Sequence, residues 1–261
     1  MKHRQLIESF GAVLLCATML LGCNGASSEA ERVQIPVQVQ TLESTEVTND
    51  LGWTVEIETL RASVADVTFT TDGEEHVESN AFLELLVPDA HAHPGHQAGG
   101  EVIGSLPGRH VVAWTDDATE LGDAEFIVGD YTGANFRYTR ASSEDGLDAD
   151  DRLLGHSVLV EGVARRDGQE VSFEARIDQD EDRSVIGLPF DASIDTKTEG
   201  IVTLDAHPAD PAEGDTLFDG IDFGEVADGA SSVTFEPGTE SYNRLRRALQ
   251  VHDHFSASLR N

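Results

Sequence analysis

Lysine is nearly missing from this 261-residue chain and occurs only at Lys2 and Lys197. Lys plus Arg is 17 against 49 Asp plus Glu, a formal net charge of −32. Binding a phosphate backbone needs a basic face that releases counterions, so nucleic-acid binding is excluded as a function class. Docking on an anionic lipid surface is disfavoured on the same ground. There are only 2 cysteines and 2 methionines, all within the first 23 residues, and aromatics are 6%. No long apolar run follows residue 21, so nothing downstream reads as a membrane span. Several chemical signatures are also missing: G-x-S-x-G, H-E-x-x-H, a phosphate loop and C-x-x-C-H. What is present is 39% hydrophobic residue in regular patterns, too much for a disordered acidic tail, and 24 glycines.

The N-terminus reads as an address. Lys2, His3 and Arg4 form a charged head, and Phe10 to Leu21 is an apolar core of signal-peptide length. It ends in Leu20-Leu21-Gly22-Cys23, which resembles a bacterial lipobox. Residues 1–22 are then a lipoprotein signal peptide and Cys23 the acylated first residue of the mature chain. Cys16, Met1 and Met19 leave with the leader, so the mature chain has no free thiol and no disulfide. Asn24 stands where the sorting pattern of such lipoproteins has Asp for inner-membrane retention. The expected location is the outer membrane, facing the periplasm. Residues 23–32 are small and polar and read as a flexible tether.

From Val33 onward the pattern is all-β, and residues 33–261 read as a single β-rich domain. Val33, Ile35, Val37 and Val39 alternate with polar residues, with Pro36 expected to confine the segment to an edge. Further strands are expected at Trp53 to Thr59, Val64 to Thr70, Arg109 to Trp114, Asp123 to Val128, Asn135 to Thr139 and Ile201 to Asp205. Ala81 to Val87 suits a strand or a short helix. Ser157 to Ala164 and Val171 to Ile177 flank Asp167-Gly168 and predict a hairpin. One helix is predicted over Ser241 to Val251, with Tyr242, Leu245, Ala248 and Leu249 on its apolar stripe and Arg244, Arg246 and Arg247 off it. The expected fold is a β-sandwich or flattened barrel with one C-terminal helix.

Histidine carries the chemistry. In Asp89-Ala90-His91-Ala92-His93-Pro94-Gly95-His96 an extended backbone turns His91 and His93 to one side. Pro94-Gly95 is turn chemistry that can bring His96 alongside. Three neutral imidazoles suit a borderline divalent ion, with metal–nitrogen distances of about 2.0–2.1 Å. Asp89 could be a fourth ligand or fix a tautomer. His252-Asp253-His254, just past the helix, could join the same ion if the chain extends there. Their plainer role is cation placement at a helix C-terminus. His156 reads as a hydrogen-bonded residue at a core edge, and His76, His110 and His207 as surface residues. With methionine and cysteine gone, His plus carboxylate favours Zn2+, with Cu2+ or Ni2+ next.

The acidic clusters read as solvated turns, with a weak Ca2+ site as the alternative at Asp178 to Asp182 and at Glu144 to Asp151. Asp178 to Asp182 starts like a calcium loop but has Arg183 where Gly is required and Pro189 where Glu is required. Glu144 to Asp151, Asp210 to Asp215 and Asp219 to Gly224 are further acidic turns. No residue stands out as a general base, so an enzyme is not expected.

The segment Gly52 to Thr70 (GWTVEIETLRASVADVTFT), with the lipobox and the histidine loop, resembles a type of bacterial lipoprotein. More distantly it resembles the MbnP-like periplasmic copper-binding proteins. That resemblance implies a β-rich fold and work beside a metal-uptake system. No metal residue of that family is carried over to this chain, and the missing methionines depart from a copper-uptake role. The expected function is a lipid-anchored protein that binds a divalent transition metal through His91, His93 and His96. It would buffer the ion or deliver it to an outer-membrane uptake receptor. Two alternatives stay open: an interaction lipoprotein with incidental histidines, and a zinc-dependent hydrolase that uses an open coordination position.

Overall fold

A computed structural model describes residues 30–71, 100–180 and 183–260. The expected leader, Cys23, His76, the segment Ala81 to Val87 and the loop His91/His93/His96 lie outside the described residues. The rest forms 12 strands in one mixed sheet. They are β1 (Arg32–Val39), β2 (Glu46–Thr48), β3 (Thr54–Thr70), β4 (Val102–Ala113), β5 (Thr119–Ile127), β6 (Gly129–Tyr138), β7 (Val158–Arg166), β8 (Gln169–Ile177), β9 (Ser184–Ile194), β10 (Ile201–Ala206), β11 (Ser232–Phe235) and β12 (Phe255–Arg260). Two helices accompany them, α1 (Phe223–Ala227) and α2 (Glu240–Ala248). Among the described residues no helix is long and apolar enough to cross a membrane.

The two strands expected at Trp53 and Val64 are one 17-residue strand, β3. It carries partners on both edges. On one edge β2 and then β4 pair with it. On the other, β7 pairs with Thr54–Ala62 and β6 with Val64–Thr70. The change of partner falls at Ser63, which is fully buried. Its N–H donates to Ser157 O (2.9 Å) and its C=O accepts from Thr139 N–H (2.9 Å). Its hydroxyl bonds the Thr139 hydroxyl at 2.8 Å. A register shift between Ala65 and Val67, with Asp66 at φ 54°, bends the strand just beyond.

From this branch the sheet runs two ways. The path β3-β4-β5-β1-β10-β12 curls round, and β6 and β9 come back from the other edge. β9 and β12 end up side by side without a ladder between them among the described residues. The result is a flattened barrel that is not closed. The remaining arm, β7-β8-β11, extends from the first half of β3. Both parts share one core. Phe69, Phe126, Tyr131 and Phe190 pack within the barrel, with Phe69 and Phe126 centroids 4.7 Å apart. Trp53, Phe173, Phe218, Phe223 and Phe235 pack on the arm. Each such buried ring contributes about 2–3 kcal/mol from area alone.

The predicted hairpin is β7-β8, in register from Val158↔Ile177 to Arg166↔Gln169. Asp167 (φ 52°) and Gly168 (φ 81°) both adopt the left-handed conformation that a type I′ turn requires. Pro36 does not hold β1 at an edge. β1 lies between β5 and β10, but its three-residue ladder to β10 starts at Val37, one residue past the missing N–H. The predicted C-terminal helix is α2, capped by the Thr239 side chain on Tyr242 N–H, with Tyr242, Leu245 and Leu249 buried. The short helix α1, capped by Asp222, was not expected, and neither were β2, β9, β11 and β12.

Gly162 in β7 marks a close approach of two strands. A Cβ there would sit 2.1 Å from the carbonyl oxygen of Glu56 and 3.1 Å from Phe173. Gly162→Ala must therefore push β7 from β3, at a cost of about 3 kcal/mol. Urea denaturation should show the midpoint fall with little change in slope. An unchanged midpoint would mean that the branch yields freely.

A candidate ligand cleft at the end of helix α2

Helix α2 is fixed at both ends of its buried stripe. Asp178 N–H donates to the Tyr242 hydroxyl (2.8 Å), and Arg246 Nε donates to Asp178 O (2.9 Å). Gln179 Nε2 donates to Arg246 O (3.1 Å), and Gln250 Nε2 to Gln179 Oε1 (2.6 Å). From the barrel side, the fully buried Tyr138 donates its O–H to Leu249 O at 2.7 Å. Burial holds that phenol far above its ordinary pKa, so it stays a neutral donor. After the helix, residues 252–254 turn once as a 3-10 helix before β12 begins.

The loop between β10 and α1 folds against this turn. Asp210 N–H donates to Asp215 O (2.7 Å) and Leu217 N–H to Pro208 O (2.9 Å), which closes a small hairpin. Asn49 anchors the following stretch through Nδ2 to Phe218 O and Ile221 O (3.0 and 2.9 Å). Asp219 accepts from Thr216 and from Asp50 N–H. The Arg244 guanidinium lies against Gly220, where an added Cβ would come within 2.3 Å of it. Between the loop, the end of α2, the 252–254 turn and the start of β9 lies an open cleft of about 720 Å3. Arg183, just ahead of β9, and Arg244 and Arg247 of α2 line it; Asp210, Glu213, Asp215 and Asp219 line it from the loop, and Asp253 from the turn. Ile186, Leu217 and Val251 give it apolar surface.

Both His252 and His254 line this cleft, but not as an extended pair. Residues two apart in a 3-10 turn do not share a face. His252 Nε2 lies 3.0 Å from Asp253 Oδ1. His254 is buried, and its Nδ1 lies 3.0 Å from His207 O, while His207 N–H donates to His254 O at 2.8 Å. A carbonyl can only accept, so Nδ1 carries the proton and Nε2 the lone pair. Metal-binding histidines are commonly held this way. His207, expected as a plain surface residue, is half-buried and braces this turn, with Nε2 2.8 Å from Ser256 Oγ. Among the described residues no three His, Cys, Asp or Glu side chains converge as a metal site.

The other candidates are structural. His156 Nδ1 lies 2.9 Å from Asp178 Oδ1, as expected of a core-edge histidine. Asp145 and Asp151 receive bidentate bonds from Arg109 and Arg61, which hold both carboxyls below the usual carboxylate range. Asp222 caps α1 and accepts from Trp53 Nε1 at 3.3 Å. Sequence reasoning placed Arg247 off the helix stripe and missed Arg183 and Asp215 as site residues. No spacing signal links them, because β9, α2 and the loop meet only in the folded chain.

No family model, curated protein or solved structure matches the chain.

Burial pushes the His254 pKa down, against the raising influence of the His207 carbonyl and of Asp210, Asp253 and Asp215. The unfolded chain therefore takes up this proton more readily than the folded one. The stability that His254 contributes is present above the ordinary imidazole pKa and is lost as pH falls below about 6.5. His254→Asn should shrink the drop in thermal midpoint between about pH 7.5 and about pH 5.5. An equal drop in both proteins would show that His254 does not couple to folding.

Proposed function

We propose that this chain is a lipid-anchored envelope protein that binds one divalent transition metal, with Zn2+ preferred over Cu2+ and Ni2+. The observation that carries this reading is the spacing His91-x-His93-x-x-His96 behind the lipobox cysteine Cys23. Three imidazoles within six residues give a borderline ion most of a tetrahedral shell. The −32 charge raises the local concentration of cations around the molecule. His254 supports the reading as a further nitrogen donor of fixed tautomer, with the charges of Asp210 and Asp215 felt at its ring. The proposed role is buffering of the ion, or its delivery to an outer-membrane uptake receptor.

Elemental analysis and titration calorimetry on the full-length chain in detergent test this with Zn2+, Cu2+ and Ni2+ in turn. About one ion per chain is expected, since one three-histidine set can serve only one ion. The variant His91→Ala/His93→Ala/His96→Ala should lose it. His254→Ala should weaken binding without abolishing it. Equal uptake by the triple variant would overturn the assignment, and no uptake would leave an interaction lipoprotein. Turnover of an ester that chelator stops and Zn2+ restores would favour the hydrolase.

The anchor has its own test. Cells fed a labelled fatty acid should label the wild-type chain, and Cys23→Ser should remove the label. Label retained in Cys23→Ser would remove the lipobox from the account.

A further inference from the structure

Among the described residues, every arginine except Arg183 and Arg247 makes an ion pair with a carboxylate. In a chain this acidic an unpaired guanidinium is unusual, and both of these line the cleft at the end of α2. Large exposed hydrophobics are few among the described residues, yet two of them, Ile186 (50%) and Val251 (41%), line the same cleft. Four carboxylates of the cleft come from a different element, the 208–219 loop, with Asp215 exposed and Asp210 buried, and a fifth, Asp253, comes from the 252–254 turn. One cleft thus offers guanidinium groups from α2 and the residue ahead of β9, carboxylates from the loop and the 252–254 turn, and exposed apolar surface at Ile186 and Val251.

We infer that this cleft binds a small zwitterion of the amino-acid or short-peptide class. Arg183 and Arg247 take the carboxylate, and Asp215 takes the ammonium. A guanidinium presents a planar fork of donors that matches a carboxylate, and such bonds are among the stronger ones in proteins. An ammonium is a compact donor that a carboxylate satisfies. The volume of about 720 Å3 falls in the usual range for small-ligand sites and exceeds what a single ion needs. The exposed Ile186 and Val251 account for a side chain between the two charged ends. The cleft presents groups of both signs, and a zwitterion engages both with one molecule.

The experiment is titration calorimetry of the full-length chain in detergent with the tripeptide alanyl-leucyl-alanine, termini free. Excess EDTA keeps any metal site out of the result. The same tripeptide, acetylated and amidated, is the control. Binding of the free peptide at about 1 mM or tighter is expected, with at least about tenfold weaker binding of the capped one. Arg183→Ala/Arg247→Ala should raise the Kd by about tenfold or more, because charge-assisted bonds are lost. Asp215→Asn should do the same through the other terminus. All three side chains are exposed, so the variants should keep the wild-type circular dichroism spectrum. Equal binding of capped and free peptide, or unchanged binding in the variants, would overturn the inference. So would no heat with the free peptide up to about 10 mM. None of these outcomes depends on whether the histidine loop holds a metal.

Discussion

The exchange of partners at Ser63 is the constraint on which the rest of the architecture depends. A strand edge can satisfy only one neighbour at each backbone group. At Ser63 the amide serves Ser157, ahead of β7, and the carbonyl serves Thr139, at the end of β6. Two neighbours therefore share one edge of β3 without an orphaned buried polar group, which would otherwise cost about 1–3 kcal/mol. The hydroxyl pair Ser63–Thr139 closes the remaining gap between them. Because of this exchange a single core fills both the barrel and the β7-β8-β11 arm.

Charge has a second, geometric role. Exposed ion pairs contribute little stability, about 0–1 kcal/mol each. Their effect here is to tie loops to strands. Arg61 and Arg109 hold Asp151 and Asp145, and so fasten the 140–156 segment over a small satellite core of Ala141, Leu153 and Leu159. Arg166 bonds Asp222 and lies 4.4 Å over the Trp53 ring, joining the hairpin turn to the cap of α1. With so few cations, their distribution is informative. Among the described residues Arg183 and Arg247 alone form no ion pair with a carboxylate, and both line the cleft at the end of α2.

Much of the fold was legible in the sequence because alternation and turn chemistry are local. Val33 to Val39, the hairpin about Asp167-Gly168 and the stripe of α2 all have the expected form. β9 alternates cleanly from Leu188 to Ile194, but Pro189 reads as a strand breaker and the bulge at Gly187, whose N–H bonds the Asn135 side chain, shifts the phase ahead of it. β11 and α1 are too short for any period to show. The candidate site was less legible. His252 and His254 were visible as a pair, but their orientation depends on a turn held by His207, a residue 47 positions from His254.

The sequence alone determined the acidic character, the β periodicity, the apolar run that precedes Cys23 and the spacing of His91, His93 and His96. These are properties of residues close together in the chain, and local chemistry suffices to read them. Only the tertiary structure decided that β3 is shared by two neighbours on one edge. Only it decided that β1 is interior despite Pro36, and that Arg183, Asp215 and Arg247 meet in one cleft. Hydrogen-bond pairing and packing join residues without regard to sequence separation, so periodicity does not reveal which of them meet.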